Sequence, residues 1–173
     1  IVIGKSAASN LTGAETNNTI LSNAGITGQS GMLIIEANNE VIAHNYPGSA
    51  AINGRNIFVG GAAGNFTNTG ISNCALGGGA LNSLTTGPHN IAIGNAALAL
   101  VTTGDGNIGI GNTAGFNPSI PSGLTTGSFN TLIGYTAGLS YTGAESNNIL
   151  IGNLNGVLGE SQVFRAGGDV TAI

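Results

Sequence analysis

Large apolar residues alternate with small ones in a short motif that recurs along most of the chain. It reads Asn-Ile-Ala-Ile-Gly at 90–94, and related motifs begin at residues 56, 73, 107 and 130. Alternation over so few residues predicts a β-strand with Ile91 and Ile93 on one face and Ala92 on the other. We expect the isoleucines to fill the interior, with Ile93 buried, and Gly94 to form a corner that a Cβ would hinder.

The asparagine that opens the motif recurs at nearly constant intervals. Successive intervals are 17, 17, 17, 17, 23 and 18 residues, which indicates a solenoid, because no single turn could bury its own apolar face. The asparagines are Asn39, Asn56, Asn73, Asn90, Asn107, Asn130 and Asn148. The corner glycines are Gly60, Gly77, Gly94, Gly111, Gly134 and Gly152.

The remainder of each repeat predicts a second short arm and a second turn. In the repeat that begins at Asn90, small residues at 96–98 form the arm and Thr-Thr-Gly at 102–104 forms the turn. Each repeat would then hold two strands of about five residues. We therefore predict an all-β chain, a parallel β-solenoid with coils of about 17 residues, whose asparagines pass hydrogen bonds between stacked coils.

Two features modify this regular plan. The interval of 23 carries six extra residues in a loop insertion at 116–124, where two prolines suit a loop. A longer similarity joins the two ends of the chain, since 3–18 match 133–148 at nine of sixteen positions and 1–44 return as 131–173. The single solenoid at 1–173 is therefore expected to be a window of a longer tandem array.

The amino-acid composition excludes several classes of protein. The chain is 41% hydrophobic and only 6% charged, with a net charge of −4, whereas ordinary domains carry roughly 25% charged residues. Intrinsic disorder is excluded by the apolar content, nucleic-acid binding by the absence of a basic patch, and membrane insertion by the absence of a long apolar run. Cys74 replaces the Ile of other repeats and is expected to act as a small hydrophobic residue.

The motif N-x-x-[IVL]-G-x-x-A-[GL], combined with Leu-Thr-Thr-Gly turns, resembles the head repeats of trimeric autotransporter adhesins. It is more similar still to related repeats in phage tail fibres and large bacterial surface proteins, and residues 147–167 are similar to a segment that often closes such arrays. The resemblance implies a left-handed parallel β-roll, assembled as a trimer and exposed on a cell or virion surface. The repeat of adhesin heads is shorter than the 17 residues found here, and residues 19–38 interrupt the motif.

Residues suited to catalysis or metal binding are few. Glu15 and Glu145 hold the same place in the long repeat, where a glutamate could cap turn amides, pair with a neighbouring chain or contribute to a cation site. His44, expected in a loop, and His89, expected at a solvent-facing corner, fall short of a zinc set. No Ser lies in a nucleophile elbow, and we expect no catalytic residue, no metal site and no cofactor.

Two surface stretches are candidates for recognition. One places Tyr46 and Arg55 in a loop, and the other brings Phe116 and Asn117 out of the rod at the insertion. Loops on a rigid scaffold often carry binding sites, although plain connections or packing between chains would explain both. The other aromatic residues are expected to cover coil edges or chain contacts; these are Phe58, Phe129, Tyr135 and Tyr141.

These patterns favour a structural, adhesin-type segment of an extracellular or virion surface fibre that mediates attachment. Its expected partners are copies of itself, as a homotrimer or filament, and a cell-surface glycan or host receptor. Two alternatives come from other classes of protein. An ice-binding solenoid would need Thr-x-Thr in register, whereas the pairs such as Thr85–Thr86 sit at turns, and a polysaccharide-depolymerising tailspike would need carboxylates clustered on one coil face.

Overall fold

The computed structural model describes residues 2–3, 19–21, 33–37, 40–44, 56–118, 122–153, 159 and 161–167. These residues hold thirteen short strands and no helix. The strands are β1 (Val2–Ile3), β2 (Thr19–Leu21), β3 (Leu33–Ala37), β4 (Glu40–His44), β5 (Ile57–Val59), β6 (Cys74–Leu76), β7 (Ile91–Ile93), β8 (Ile108–Ile110), β9 (Phe116–Asn117), β10 (Ser122–Gly123), β11 (Thr131–Ile133), β12 (Ile149–Ile151) and β13 (Phe164–Ala166).

Eleven strands form one sheet in chain order, with β9 and β10 set apart as an antiparallel pair. From β5 onward the neighbours in the sheet are parallel, and each residue pairs with its equivalent in the next coil. Ile57 pairs with Cys74, Cys74 with Ile91, and Ile91 with Ile108. The coils thus stack in register as a β-solenoid, which confirms the predicted fold class. Strand β4 departs from this order, since it pairs antiparallel with both β3 and β5.

The faces of the strands are the reverse of the prediction. Ala92 has no exposed surface, whereas Ile91 and Ile93 are each 37% exposed, and the same alternation recurs in β5 and β12. The reason is the buried asparagine that opens each motif. Since successive side chains in a strand point to opposite faces, an inward Asn90 places Ala92 inward and turns both isoleucines outward.

Each described coil from β5 to β8 has one strand of three residues, where two strands of about five were predicted. The expected second arm takes another conformation. Ala96 and Leu98 both have left-handed backbones, with φ of 52° and 50°. A left-handed residue turns the chain and cannot extend a strand, so the coil returns through consecutive turns.

The core runs along the inside of the stacked coils. It is lined mostly by Ala and Leu, and Phe58 and Tyr141 also lie fully inside it, although aromatic residues were expected at coil edges or chain contacts. Glycine makes the necessary room. A Cβ on Gly64 would lie 2.4 Å from the Cγ of Phe58, and one on Gly109 would lie 2.6 Å from the Cγ of Leu98.

The two copies of the long repeat share their strand pairing. In the first copy Ile3 of β1 pairs with Leu21 of β2, and in the second Ile133 of β11 pairs with Ile151 of β12, so both offsets are 18 residues. The third strand follows in both copies, as β3 beside β2 and as β13 beside β12. The similarity between the ends of the sequence is therefore matched by the pairing of their strands.

Candidate functional site: an aliphatic outer face on an asparagine-bonded rod

A continuous ladder of buried asparagines joins the coils. The side-chain oxygen of Asn73 accepts a hydrogen bond from the backbone N–H of Asn90 at 2.9 Å and another from its Nδ2 at 3.2 Å. The same two bonds recur at each described step from Asn56 to Asn148. The last oxygen, that of Asn148, accepts the N–H of Val163 at 3.0 Å. Each inward Asn is held by its neighbours and is thereby satisfied in the interior.

Each asparagine also closes its own coil. The Nδ2 of Asn90 donates to the carbonyl of Gly104 at 2.8 Å, and that of Asn73 donates to Gly87 at 3.0 Å. The ladder survives the insertion, since Asn130 bonds to Asn107 across 23 residues at 3.0 Å. The side chains that face inward therefore fix both the length of each coil and its alignment with the next.

The corner glycines allow the coils to approach closely. Gly94 has a φ of 130°, and a Cβ built on it would lie 2.4 Å from the carbonyl oxygen of Gly111 in the next coil. Gly77 and Gly111 meet their successors in the same way. Only glycine combines this backbone conformation with this spacing, so the corner requires it in every coil.

A second ladder runs along the Thr-Thr-Gly turns. The hydroxyl of Thr85 donates to the carbonyl of Thr102 at 3.0 Å, and that of Thr102 donates to Thr125 at 3.2 Å. The second threonine of each pair, such as Thr86, is exposed. The two threonines of a pair therefore point in different directions, as the turn position predicts, and the second threonines of the described turns form an exposed column.

Glu145 lies at the end of this ladder of turns. Its carboxylate is buried and accepts hydrogen bonds from the backbone N–H groups of Gly143 at 3.0 Å, Gly159 at 3.1 Å and Thr142 at 3.3 Å. Burial raises the pKa of this carboxyl, but the hydrogen bonds outweigh that effect and hold the pKa below its ordinary value. Capping of turn amides is the role found for Glu145, whereas Glu15 lies outside the described residues.

The outward residues of the strands form what we call the outer aliphatic face. Large apolar side chains occupy most of its positions, and several are well exposed: Ile57 is 58% exposed and Leu76 is 50% exposed. No charged residue stands on this face. The face comprises Ile57, Val59, Cys74, Leu76, Ile91, Ile93, Ile108, Ile110, Thr131, Ile133, Ile149, Ile151, Phe164 and Ala166.

Mostly polar or small residues border the outer aliphatic face on both sides. On the side that precedes the strands lies an exposed ion pair, in which Nδ1 of His89 is 3.0 Å from Oδ1 of Asp105. On the side that follows them lie Asn95 and Asn112. An apolar centre with a polar rim is the usual anatomy of a protein–protein interface.

Several residues predicted as sites contribute little to this arrangement. Phe116 and Asn117 are half-buried and form β9, which pairs with β10. His44 ends strand β4 and is not in a loop as expected. Asn39, Tyr46 and Arg55 lie outside the described residues.

The outer aliphatic face was missed by the sequence reasoning because the larger residues were assigned to the interior. A signal was available in the asparagines. Asn56, Asn73 and Asn90 lie two residues before Phe58, Ala75 and Ala92, so inward asparagines that bond from coil to coil place those residues inward as well. The isoleucines of the same motif then have to face outward.

Within the described part of the chain, no cluster of three or more His, Cys, Asp or Glu residues could hold a metal ion. No helix there is long and apolar enough to cross a membrane. Comparisons with protein-family models, curated proteins and solved structures give no match. The function of the chain must therefore be inferred from its own surfaces.

Proposed function

We propose that the chain is a structural segment of an extracellular or virion surface fibre, in which copies pack side by side through the outer aliphatic face. The observation that carries the proposal is the face itself. Monomeric proteins rarely expose contiguous apolar patches above a few hundred Å². Seven strands spaced about 4.8 Å apart make the face roughly 30 Å tall, and its three residues per strand make it about 10 Å wide. Its apolar area is about 300 Å², and together with its polar rims it could form the centre of an interface of standard size, which buries ~800 Å² per partner.

The partner that fits this face best is another copy of the chain. The aliphatic rows repeat at the spacing of β-strands in one sheet, about 4.8 Å. A second copy presents the same rows at the same spacing, so that ridges and grooves match along the full height. Because the face carries no charge, identical copies meet without electrostatic repulsion. Three copies around one axis, as the family resemblance implies, would bury the face and leave the loops outside for attachment to a glycan or a host receptor.

The test is the mass of the protein in solution by light scattering, combined with a charge placed on the face. Ile93→Glu puts a carboxylate at the centre of the outer aliphatic face, and we expect single chains with an unchanged circular dichroism spectrum. Thr103→Glu is the matched control, since Thr103 is exposed in the same coil but away from the face. It should leave the assembly intact.

A wild-type protein that remains a single chain at all accessible concentrations would contradict the proposal. So would an Ile93→Glu variant that assembles as well as the wild type. Electron microscopy of the intact assembly then separates a compact bundle of copies from a long filament.

A further inference from the structure

A repeated face poses a problem of alignment. Ile91, Ile108 and Ile149 occupy equivalent outward positions in different coils, so sliding one copy by one or a few coils places isoleucine on isoleucine again. A pattern that repeats in this way specifies register weakly. If copies pack through the outer aliphatic face, some feature that does not repeat must fix their axial alignment.

The coil at 130–147 carries such a feature. Thr131 stands where the neighbouring coils have Ile108 and Ile149. Its side chain is half-buried, and its hydroxyl has no hydrogen-bond partner among the described residues. Thr131 carries the one hydroxyl in this column, whose other described members are Ile57, Cys74, Ile91, Ile108, Ile149 and Phe164. A lone polar group in an apolar column fixes register in coiled coils, where one buried Asn opposes its equivalent.

Two exposed aromatic side chains flank this same coil. Phe129 and Tyr135 are 59% and 62% exposed, and they lie on opposite rims of the outer aliphatic face. The corresponding rim positions in the preceding coil are Gly106 and Asn112. The coil therefore presents a strip unlike that of its neighbours, with Thr131 and Ile133 between two aromatic rings.

The ring of Phe129 is held in place by the rod. Its backbone N–H donates to the carbonyl of Asp105 at 2.9 Å, and its φ of 59° is left-handed. The ring lies over Gly106, where a Cβ would come within 2.8 Å of its Cδ1. An aromatic side chain already fixed at an interface rim loses little conformational entropy on contact, which is typical of hot-spot residues.

We propose that the coil at 130–147 sets the axial register between copies. This inference rests on the proposed side-by-side assembly. In register, the Thr131 hydroxyls of adjacent copies face one another and can exchange hydrogen bonds, while Phe129 and Tyr135 contact the rims of the neighbours. A slip of one coil would instead press each Thr131 against isoleucine and leave its hydroxyl buried without a partner, which is costly.

Cys74 supplies a readout of register that is independent of this coil. It is free, half-buried and part of the outer aliphatic face. Copies in register place their Cys74 side chains at the same height, whereas a slip of one coil shifts them by about 4.8 Å and sets Cys74 beside Ile57 or Ile91 of the neighbour. The yield of Cys74–Cys74 cross-links with a short bifunctional thiol reagent therefore reports the aligned population.

The decisive variant is Thr131→Ile, which removes the hydroxyl from the column and gives position 131 the side chain of its neighbours Ile108 and Ile149. We expect its mass in solution to equal that of the wild type, while the cross-link yield falls about threefold as the aligned and two slipped registers become comparably populated. Thr103→Ile, the same change on an exposed site away from the face, should leave the yield unchanged. Phe129→Ala combined with Tyr135→Ala should lower the yield without dissociating the copies.

The outcomes separate the two proposals. Wild-type single chains would overturn both of them. Assembled copies whose cross-link yield is the same in the wild type and in Thr131→Ile would overturn the register role alone. An assembled wild type that gives no Cys74 cross-link at all would show that the copies are not aligned in register.

Discussion

In most strands from β5 to β12 both faces are apolar, yet only the inner face is covered by the chain itself. In β12, Leu150 is fully buried inside the coil, whereas Ile149 and Ile151 are each 41% exposed on the outer aliphatic face. The inner face is buried by the chain itself, and its residues fit the narrow interior of the coil. The outer face collects the larger isoleucines of the motif and leaves them uncovered. Large apolar residues in this rod therefore occupy both the core and an outer face that the chain leaves exposed.

The difference between the inner and outer faces can be tested most directly by making the same substitution on each side of one strand. Leu150→Asn should cost about 4 kcal/mol, because it removes buried apolar contacts and places an amide where no partner exists. Ile151→Asn should cost under about 0.5 kcal/mol in the dilute single chain, as surface changes usually do. Urea denaturation at low protein concentration measures both, and equal losses would mean that the two faces are not distinct.

A buried and an exposed asparagine provide a second test of the difference between the inside and the outside of the rod. Asn107→Ala should cost about 3 kcal/mol, because the buried backbone N–H of Asn130 and the carbonyl of Gly127 lose the hydrogen bonds that Asn107 makes to them. Asn112→Ala, at an exposed position five residues later, is the matched control and should be nearly neutral. A comparable loss of thermal stability in the two variants would contradict the ladder.

Glu145 gives a pH dependence with a definite sign. Its pKa in the folded chain lies below the ordinary value of 4.5, so its contribution is complete above that value and is lost as the pH falls through the folded pKa. Glu145→Gln should lower stability by about 1–2 kcal/mol at pH 7. Melting curves between pH 7 and pH 3 should bring the two proteins together at the acidic end. A constant difference would show that the charge is irrelevant.

The smallest expected change in stability is a gain. The hydroxyl of Thr113 is buried and has no hydrogen-bond partner within the described residues, and its φ of 51° is unfavourable for a β-branched residue. Ala62 and Ala96 occupy the equivalent position with similar φ values of 55° and 52°. Thr113→Ala should therefore raise stability by roughly 1 kcal/mol. A lower melting temperature would point to an interaction of this hydroxyl outside the single chain.

The spacing of the asparagines was sufficient to predict the coil length, the parallel stacking and the hydrogen bonds between coils. Those properties depend on one residue at a fixed interval, which the sequence displays directly. The direction in which the isoleucines point was predicted wrongly, since residue size suggested an inward Ile93 while the inward asparagine required the reverse. The buried Phe58 was also missed, because its place depends on space left by Gly64, a contact between coil positions that no periodicity reveals.

The hydrogen bonds of the asparagine ladder all point in the same direction along the rod. Each side-chain oxygen faces the coil that follows, so the amide dipoles from Asn56 to Asn148 align head to tail and polarise one another. The coil made first presents an acceptor before the next coil exists. As the chain emerges from synthesis, each coil along the ladder from Asn56 to Asn148 therefore presents an acceptor to the coil made after it, which suits vectorial folding in that direction.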